Sequence, residues 1–289
     1  MTTAGVDRVL SGARAGGDAV LTLIRPRPGW RWPDVAELWR YRELLGFLVW
    51  RDVKARYKQT VMGAAWAVIQ PVGTMVVFSV VFGKFAGIPS DGVPYPVFVY
   101  AGLLPWLLLA NSVSQAGLSL VTHANLVSKV YFPRLFIPAA SIGVGLVDFA
   151  LSFVVYMGIL IWYAHWPGPG VLLLPVLLLL TVVTALGVGL LLAGLTVIYR
   201  DFRHAIPFLV QVWLYLSPVV YPVALVPPAY RWIMWLNPMT GIIGGFRSAL
   251  LDQPLEAGGL AAAAGMAVLL LIAGVASFGR CERRFADVV

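Results

Sequence analysis

Charge and cysteine are both scarce in this chain of 289 residues. Only 12% of the residues are charged and 60% are hydrophobic, where soluble domains carry about 25% charge. With a mean hydropathy of +0.85, that balance excludes an ordinary water-soluble domain and points to a membrane protein. The length accommodates five to seven spans with short loops and leaves no room for a large soluble domain beside them. Cys281 is the single cysteine, so no disulfide can form within the chain. No Gly-x-x-x-x-Gly-Lys-Ser/Thr run is present to cradle a nucleotide phosphate. There is no His-Glu-x-x-His and no Cys/His cluster, and His123, His165 and His204 fall in different loops, so no metal site is expected. No nucleophile, base and acid converge. The chain is therefore not expected to be an enzyme or to bind a cofactor, and uphill transport would need energy from another subunit.

What is present is a series of apolar runs. A bilayer-spanning helix needs about 20 mostly apolar residues. Six such runs stand at 61–83, 95–118, 135–163, 171–199, 205–226 and 258–279; the third contains Asp148 and the others contain no Asp, Glu, Lys or Arg. Pro71, Pro105, Pro175 and Pro218 lie within them, as bilayer helices tolerate, and Gly187, Gly189 and Gly194 suit close helix approach. The fold expected is an all-α integral membrane protein with six transmembrane helices, which puts both termini on one side. Of the 21 Lys and Arg residues, 18 fall on that side and only Lys84, Arg231 and Arg247 on the other. The positive-inside rule makes the first side cytoplasmic. The net charge of +8 then faces the cytoplasm of a bacterial inner membrane, and no nucleic-acid partner is implied.

The chain divides into a flexible cytoplasmic N-terminus (1–33), an interface helix (34–60), a six-span permease domain (61–279) and a cytoplasmic tail (280–289). Segment 34–60 is too charged to span. In a helical projection Val35, Leu38, Trp39, Val49, Trp50, Val53 and Tyr57 fall on one side, and Glu37, Arg40, Arg51, Lys54 and Lys58 largely on the other. This predicts an amphipathic helix in the headgroup plane, serving as an anchor or as a platform that also touches a partner. Two cytoplasmic loops, 122–134 and 199–204, mix charge with aromatics. Topogenic charge accounts for their Arg residues but not for the aromatics, which suit docking into a partner cleft. Between spans five and six, two short apolar segments are broken by Pro and Gly, from Ser217 to Pro238 and from Gly244 to Leu250. They read as re-entrant half-helices entering from outside, consistent with a pore lid.

Span one carries Trp66, Gln70 and Thr74 at spacings of four, and span five carries Phe208, Gln211 and Tyr215 at three and four. Each trio shares a helical face. Rings that stack on pyranose faces, alternating with amides and hydroxyls, suit passage of a sugar chain; helix packing with Gln and Thr bonded across an interface accounts for the same residues. Asp148, near the middle of span three, must face protein or water. No second intramembrane acid or base completes a relay, so a structural bond to a neighbouring helix is expected.

The segment Arg51-Asp-Val-Lys-Ala-Arg-Tyr-Lys-Gln-Thr-Val-Met-Gly-Ala-Ala-Trp-Ala-Val-Ile-Gln-Pro71 resembles the approach to the first span in type-2 ATP-binding-cassette permeases, in the branch exporting O-antigen, teichoic acid, capsule and related envelope polysaccharides. Tyr100-Ala-Gly-Leu-Leu-Pro-Trp106, Tyr131-Phe-Pro-Arg134, Tyr199-Arg-Asp-Phe-Arg-His204 and Leu236-Asn-Pro-Met239 are similar to further motifs of that family. The resemblance covers about residues 34 to 280. It implies a homodimeric permease with two copies of a separate cytoplasmic ATPase, which alone holds ATP and magnesium. It implies that the interface helix and the two loops meet that ATPase, through Arg51, Asp52, Lys54, Arg56, Lys129, Tyr131, Arg134, Tyr199, Arg200, Asp201 and Arg203. It also implies a channel at the dimer interface, lined partly by aromatics, for a glycan carried on a polyprenyl diphosphate lipid.

Rival functions are an exporter of a lipid or drug on the same fold, an integral-membrane transferase acting on polyprenyl lipids, and an ion-coupled transporter. The transferase would need clustered acids or histidines at one membrane face, and the acids here are dispersed. The ion-coupled carrier would need inverted repeats and midplane charges.

Overall fold

The computed structural model describes residues 35–58, 65–129 and 132–282. The N-terminal segment assigned as flexible, Tyr131 and most of the assigned tail lie outside the described residues. The chain forms α1 (Val35–Arg40), α2 (Arg42–Lys58), α3 (Ala65–Phe78), α4 (Tyr95–Thr122), α5 (Ala124–Lys129), α6 (Phe136–Trp162), α7 (Leu174–Ile198), α8 (Phe202–Leu216), α9 (Arg231–Trp235), α10 (Pro238–Leu251) and α11 (Ala257–Cys281). A π-helical stretch, Ser79–Phe85, continues α3, and a 3-10 turn, Pro169–Leu173, leads into α7. No strand occurs among the described residues.

Five helices are long and apolar enough to cross a membrane: Ala65–Phe85, Tyr95–Thr122, Phe136–Trp162, Pro169–Ile198 and Ala257–Cys281. They correspond to the first, second, third, fourth and sixth expected spans. The run 205–226 is not one continuous helix. Its helical part, α8, ends at Leu216 after 15 residues, a reach of about 22 Å. The cause is local. Ser217 precedes Pro218, whose ring disfavours helical geometry in the residue before it, and Ser217 is extended (φ −100°, ψ 141°). Of the two expected half-helices, the first is reduced to 3-10 turns and the five-residue α9, whereas the second is the 14-residue, largely buried α10.

The core is built around α4. In its most apolar stretch 78% of residues are buried, against 11% for the helix formed by α3 and its π extension. α4 touches α3, α6, α7, α8 and α10. The Tyr100 and Tyr156 rings stack at 5.4 Å in the buried interior. Each hydroxyl reaches the other helix, Tyr100 donating to Ser152 O at 3.2 Å and Tyr156 to Val97 O at 3.3 Å. Buried hydroxyls thus find partners without a charge. α7 and α11 cross at Gly187 and Gly274, where a Cβ on either would overlap the other helix's backbone. This is the close approach expected of the glycines in the fourth run.

The interface helix departs from the single apolar face read in its sequence. Leu48 is buried, and Leu38, Tyr41, Leu44, Leu45 and Val49 lie against the cluster that includes Phe132, Phe136 and Ile137. Val49 sits directly over Gly143 of α6, where a Cβ would collide with it. Trp39, Phe47 and Trp50 stand on the exposed side, 64–69% accessible. The helix therefore has two apolar faces. One is buried on the bundle, and the other is an aromatic stripe that stays exposed among the described residues, with the Arg42 guanidinium 4.8 Å from the Trp39 ring. Projection onto a single headgroup plane merged them.

Candidate functional site

The two aromatic–amide trios sit on exposed helix faces. Trp66 is 56% accessible, Phe208 67% and Tyr215 57%; Gln70 and Gln211 are exposed, and Thr74 is half-buried. Gln211 Nε2 donates to the Tyr215 hydroxyl at 3.2 Å, so that pair is preset along one face of α8. Thr74 Oγ1 donates back to Gln70 O at 2.8 Å and spends its proton within its own helix. α3 rests on α4 and α6, whereas α8 rests on α4 and α7. The trios therefore have different neighbours within one chain. A carboxamide on a lipid-facing helix would be left without partners in hydrocarbon. These faces suit a second protein surface or a water-filled path.

A cavity of 240 Å³ opens beside the α3 trio. Trp66 and Gln70 line it together with Asn111 of α4, Asp148 of α6, and Arg56 and Tyr57 of α2. Asp148 makes the structural bond expected of it. Its Oδ1 accepts the Tyr57 hydroxyl and its Oδ2 pairs with Arg56 Nη1 at 2.8 Å. Burial, then the hydrogen bond to Asp148 and its negative charge, push the Tyr57 phenol above its ordinary pKa, so it remains a donor. The acid is neutralised by a cation from the interface helix, 92 positions earlier than Asp148 in sequence, and needs no proton relay. Arg56, expected to meet an ATPase, makes this pair from a position that stays exposed, its side chain 38% accessible.

The other expected coupling residues fall into two groups. Arg51 pairs with Asp52, through both Nε and Nη2 at 2.8 Å to Oδ1, and Lys54 and Lys129 are exposed. Arg134 Nη1 donates to Glu282 O at 2.8 Å and ties the 122–134 loop to the end of α11. Burial raises the Glu282 carboxyl pKa, which the nearby Arg134 opposes and Glu37 reinforces. At the turn between α7 and α8, Tyr199, Arg200 and Asp201, with Arg203 in the first turn of α8, are all exposed. The Tyr199 and Phe202 rings lie 6.3 Å apart beside them. A charged, aromatic knob of this kind is a docking shape.

At the opposite end two residues carry more than the sequence suggested. Asn237 caps α10, its Oδ1 accepting from Met239 N–H at 3.0 Å. The same oxygen accepts the Trp213 indole N–H at 2.9 Å, while Nδ2 donates to Ser217 Oγ at 2.9 Å. This joins the last turn of α8 to the first turn of α10. Arg247, counted from sequence among the few cations on the external side, is 4% accessible. It lies 3.6 Å over the Phe98 ring and donates to Val219 O at 2.7 Å and Tyr221 O at 3.4 Å. Tyr95 takes the carbonyl between them, Val220 O, at 2.6 Å. Three successive carbonyls after Pro218 are thus held by α4 and α10. Burial lowers the Arg247 pKa to about 9, which leaves it cationic at neutral pH. The signal available in the sequence was a lone cation inside an otherwise apolar segment.

Residues 43–251 match the ABC-2 type transporter family. The chain is 30% identical over 259 residues to the O-antigen export system permease protein RfbA of Myxococcus xanthus, covering 88% of this chain and 98% of that protein. It is 24% identical over 248 residues to the O-antigen export system permease protein RfbA of Klebsiella pneumoniae, 86% and 95% of the two chains. Identity to the polysialic acid transport protein KpsM of Escherichia coli is 21% over 213 residues, 72% of this chain and 81% of that one.

Proposed function

Since the chain belongs to the ABC-2 type transporter family, we propose that it is the permease subunit of an exporter that moves a cell-envelope polysaccharide outward across the inner membrane. Two copies form the path, and a separate cytoplasmic ATPase, also in two copies, drives it. The cargo is a glycan held on a polyprenyl diphosphate lipid. The observation that carries the reading is the pair of exposed aromatic–amide faces, Trp66/Gln70 on α3 and Phe208/Gln211/Tyr215 on α8. Facing each other across a two-fold axis, they would give rings for pyranose faces and amides for hydroxyls, without charges to hold the chain still. Relatives named for O-antigen and polysialic acid transport support the cargo class.

Six crossings fit this reading. α8 is short, and the buried stretch from Ser217 to Val220 continues its path; α9 and α10 then lie on the external side. The excess of Lys and Arg supports a cytoplasmic side for both termini. The Tyr199–Arg203 knob and the interface helix face the ATPase there. ATP-driven closure of the ATPase pair moves α3 and α8 as bodies through these contacts, and the chain contributes binding and geometry but no bond chemistry.

The test is isolation of the tagged chain from native membranes in mild detergent. A stoichiometric cytoplasmic protein bearing a Gly-x-x-x-x-Gly-Lys-Ser/Thr motif is expected, together with accumulation of lipid-linked glycan inside cells that lack the chain. Absence of any ATPase after cross-linking, with glycan still reaching the outer face of deleted cells, would remove the reading.

A further inference from the structure

A groove of 560 Å³ lies between α3 and α6, at the end of the bundle away from the cytoplasmic loops. Met75, Val76 and Val80 form one wall, and Gly158 and Ile159 form the other. No charged residue among the described ones lines it. Both walls belong to helices long and apolar enough to cross a membrane. Val76, Val80 and Gly158 are exposed, so the groove is open to whatever surrounds the bundle. In a bilayer that is hydrocarbon rather than water. The wall on the α3 side changes from α to π geometry at Ser79, a rare form that recurs at functional sites.

Gly158 lies on the floor of the groove and is not required there by the chain itself. Glycine in a helix interior is less favourable than alanine. Gly143 and Gly145, on the same helix, are crowded: a Cβ on them would collide with Val49 or with Ser112. A Cβ on Gly158 would meet nothing within 4 Å. Its missing side chain leaves room for an occupant from outside the chain.

The rim narrows the occupant. Trp162 and Tyr163 form the outer end of the groove, and Trp162 is 85% accessible. Amphipathic rings of this kind settle at the level of lipid headgroups. Lys84, four residues beyond Val80 and exposed, ends the α3 wall with an ammonium that suits a lipid phosphate. The α6 wall from Val155 to Trp162 runs for about 11 Å, against a hydrocarbon core of about 30 Å. A partner's helix would need a seam through the whole thickness, whereas an acyl chain needs only its own leaflet.

From this arrangement we infer that the groove between Met75, Val80, Gly158 and Ile159 binds one phospholipid, its acyl chain against Gly158 and its phosphate at Lys84. Only the choice of the outer leaflet rests on the orientation proposed above; the site holds for any cargo. The bound chain wedges α3 against α6. Within the chain only 11% of the apolar stretch of the α3 helix and its π extension is buried. The helix that carries Trp66 and Gln70 thus leans on a neighbour that the chain does not supply.

The test uses the full chain, purified in mild detergent in its native oligomeric state. Native mass spectrometry counts the phospholipids kept per chain, and thermal unfolding is followed as phosphatidylglycerol or phosphatidylcholine is added. Wild type is expected to keep one phospholipid per chain and to melt higher with phosphatidylglycerol. Gly158→Leu fills the groove from a position where a Cβ meets nothing, so it should keep its oligomeric mass and bind lipid about tenfold more weakly. Val80→Phe, on the opposite wall, should lose lipid likewise and keeps the test decisive if Gly158→Leu unfolds. Lys84→Gln should lower the preference for phosphatidylglycerol over phosphatidylcholine roughly fivefold. No lipid kept by wild type and no shift with either lipid overturns the site, as does retention that both groove-filling variants leave unchanged. Dissociation of the oligomer in those variants assigns the groove to a second copy and overturns it too. The leaflet is read separately, by labelling Lys84→Cys with a membrane-impermeant maleimide; the native Cys281 is buried. Labelling from the cytoplasmic side alone removes the proposed orientation and leaves the site.

Discussion

The indole N–H of Trp213 donates to the side-chain oxygen of Asn237 at 2.9 Å, the same oxygen that caps α10 through Met239 N–H. One amide thus ties a helix that exposes the Gln211/Tyr215 face to the largely buried α10. Asn237→Leu keeps the volume and removes both acceptor and donor. Two N–H groups lose their partner, which costs about 2 kcal/mol. Thermal unfolding in detergent should shift down accordingly, and proteolysis in the turn between Ser217 and Arg231 should quicken. Trp213→Phe, which leaves only one group unpaired, should show a smaller shift. An unchanged melting curve for Asn237→Leu would show that the junction is held by apolar contacts alone.

The pairing of Arg56 with Asp148 predicts a thermodynamic coupling. Asp148 is largely enclosed whereas the Arg56 side chain is 38% accessible, so solvent screens the pair and the coupling should be about 1 kcal/mol rather than that of a fully buried ion pair. Arg56→Gln and Asp148→Asn should each destabilise the fold, and the double variant should be less destabilised than their sum. Additive effects in that double-mutant cycle would mean that the interface helix is held on α6 by Leu48 and Val49 alone.

Much of this architecture is legible in the sequence because bilayer helices announce themselves by length and hydropathy. The runs at 95–118 and 258–279 became α4 and α11 with small shifts at the ends. Asp148 was legible as a group in need of a protein partner, but its partner was not. Arg56 and Tyr57 reach it from a helix whose docking depends on Val49 meeting the bare backbone at Gly143, a tertiary coincidence that no periodicity encodes. The run at 205–226 misled because hydropathy does not register Ser217 before Pro218, where backbone sterics end the helix. The cavity that Asp91, Pro222, Thr240, Gln253 and Gly259 help to line draws on stretches far apart in sequence and exists only once they are folded together.

Glu282 gives the stability of the C-terminal junction a pH dependence. Its carboxyl pKa is raised, by burial first, so the folded state binds its proton more tightly than the unfolded chain does. Stability from this group is complete below the ordinary carboxyl value of about 4.5 and declines as pH rises through the raised value. Glu282→Gln keeps the backbone carbonyl that Arg134 uses and removes the ionisation. The variant should melt higher than wild type at neutral pH, with the two curves converging toward about pH 4. A variant that melts lower at neutral pH would show that the carboxylate is stabilised in place.

The exposed turn at Arg200 and Asp201 should transmit force without supporting the fold. Replacing both with Ala removes no buried contact, so stability should stay within about 0.5 kcal/mol of wild type. Export in cells should fall roughly tenfold, the equivalent of about 1.4 kcal/mol of lost coupling, while ATP hydrolysis by the co-purified complex continues. Normal export in the double variant would remove this turn from the coupling surface.

The exposed rings allow a sharper discrimination, because lining a path and packing a dimer make opposite predictions for the same substitutions. Trp66 and Phe208 are more than half accessible in one chain, so their removal costs the monomer little. If they line the path, Trp66→Ala with Phe208→Ala leaves the dimer intact, and export drops roughly tenfold as ring-to-sugar contacts worth about 1.4 kcal/mol are lost. Gln211→Leu should add to that loss, since it also releases the Tyr215 hydroxyl from its 3.2 Å contact. If instead the rings hold two copies together, the same variants dissociate on size exclusion in detergent, and export fails because no dimer remains. Reading oligomeric mass beside export on one set of variants decides the matter. A dimer that persists with weakened export assigns the two faces to the glycan, whereas loss of the dimer assigns them to the partner copy.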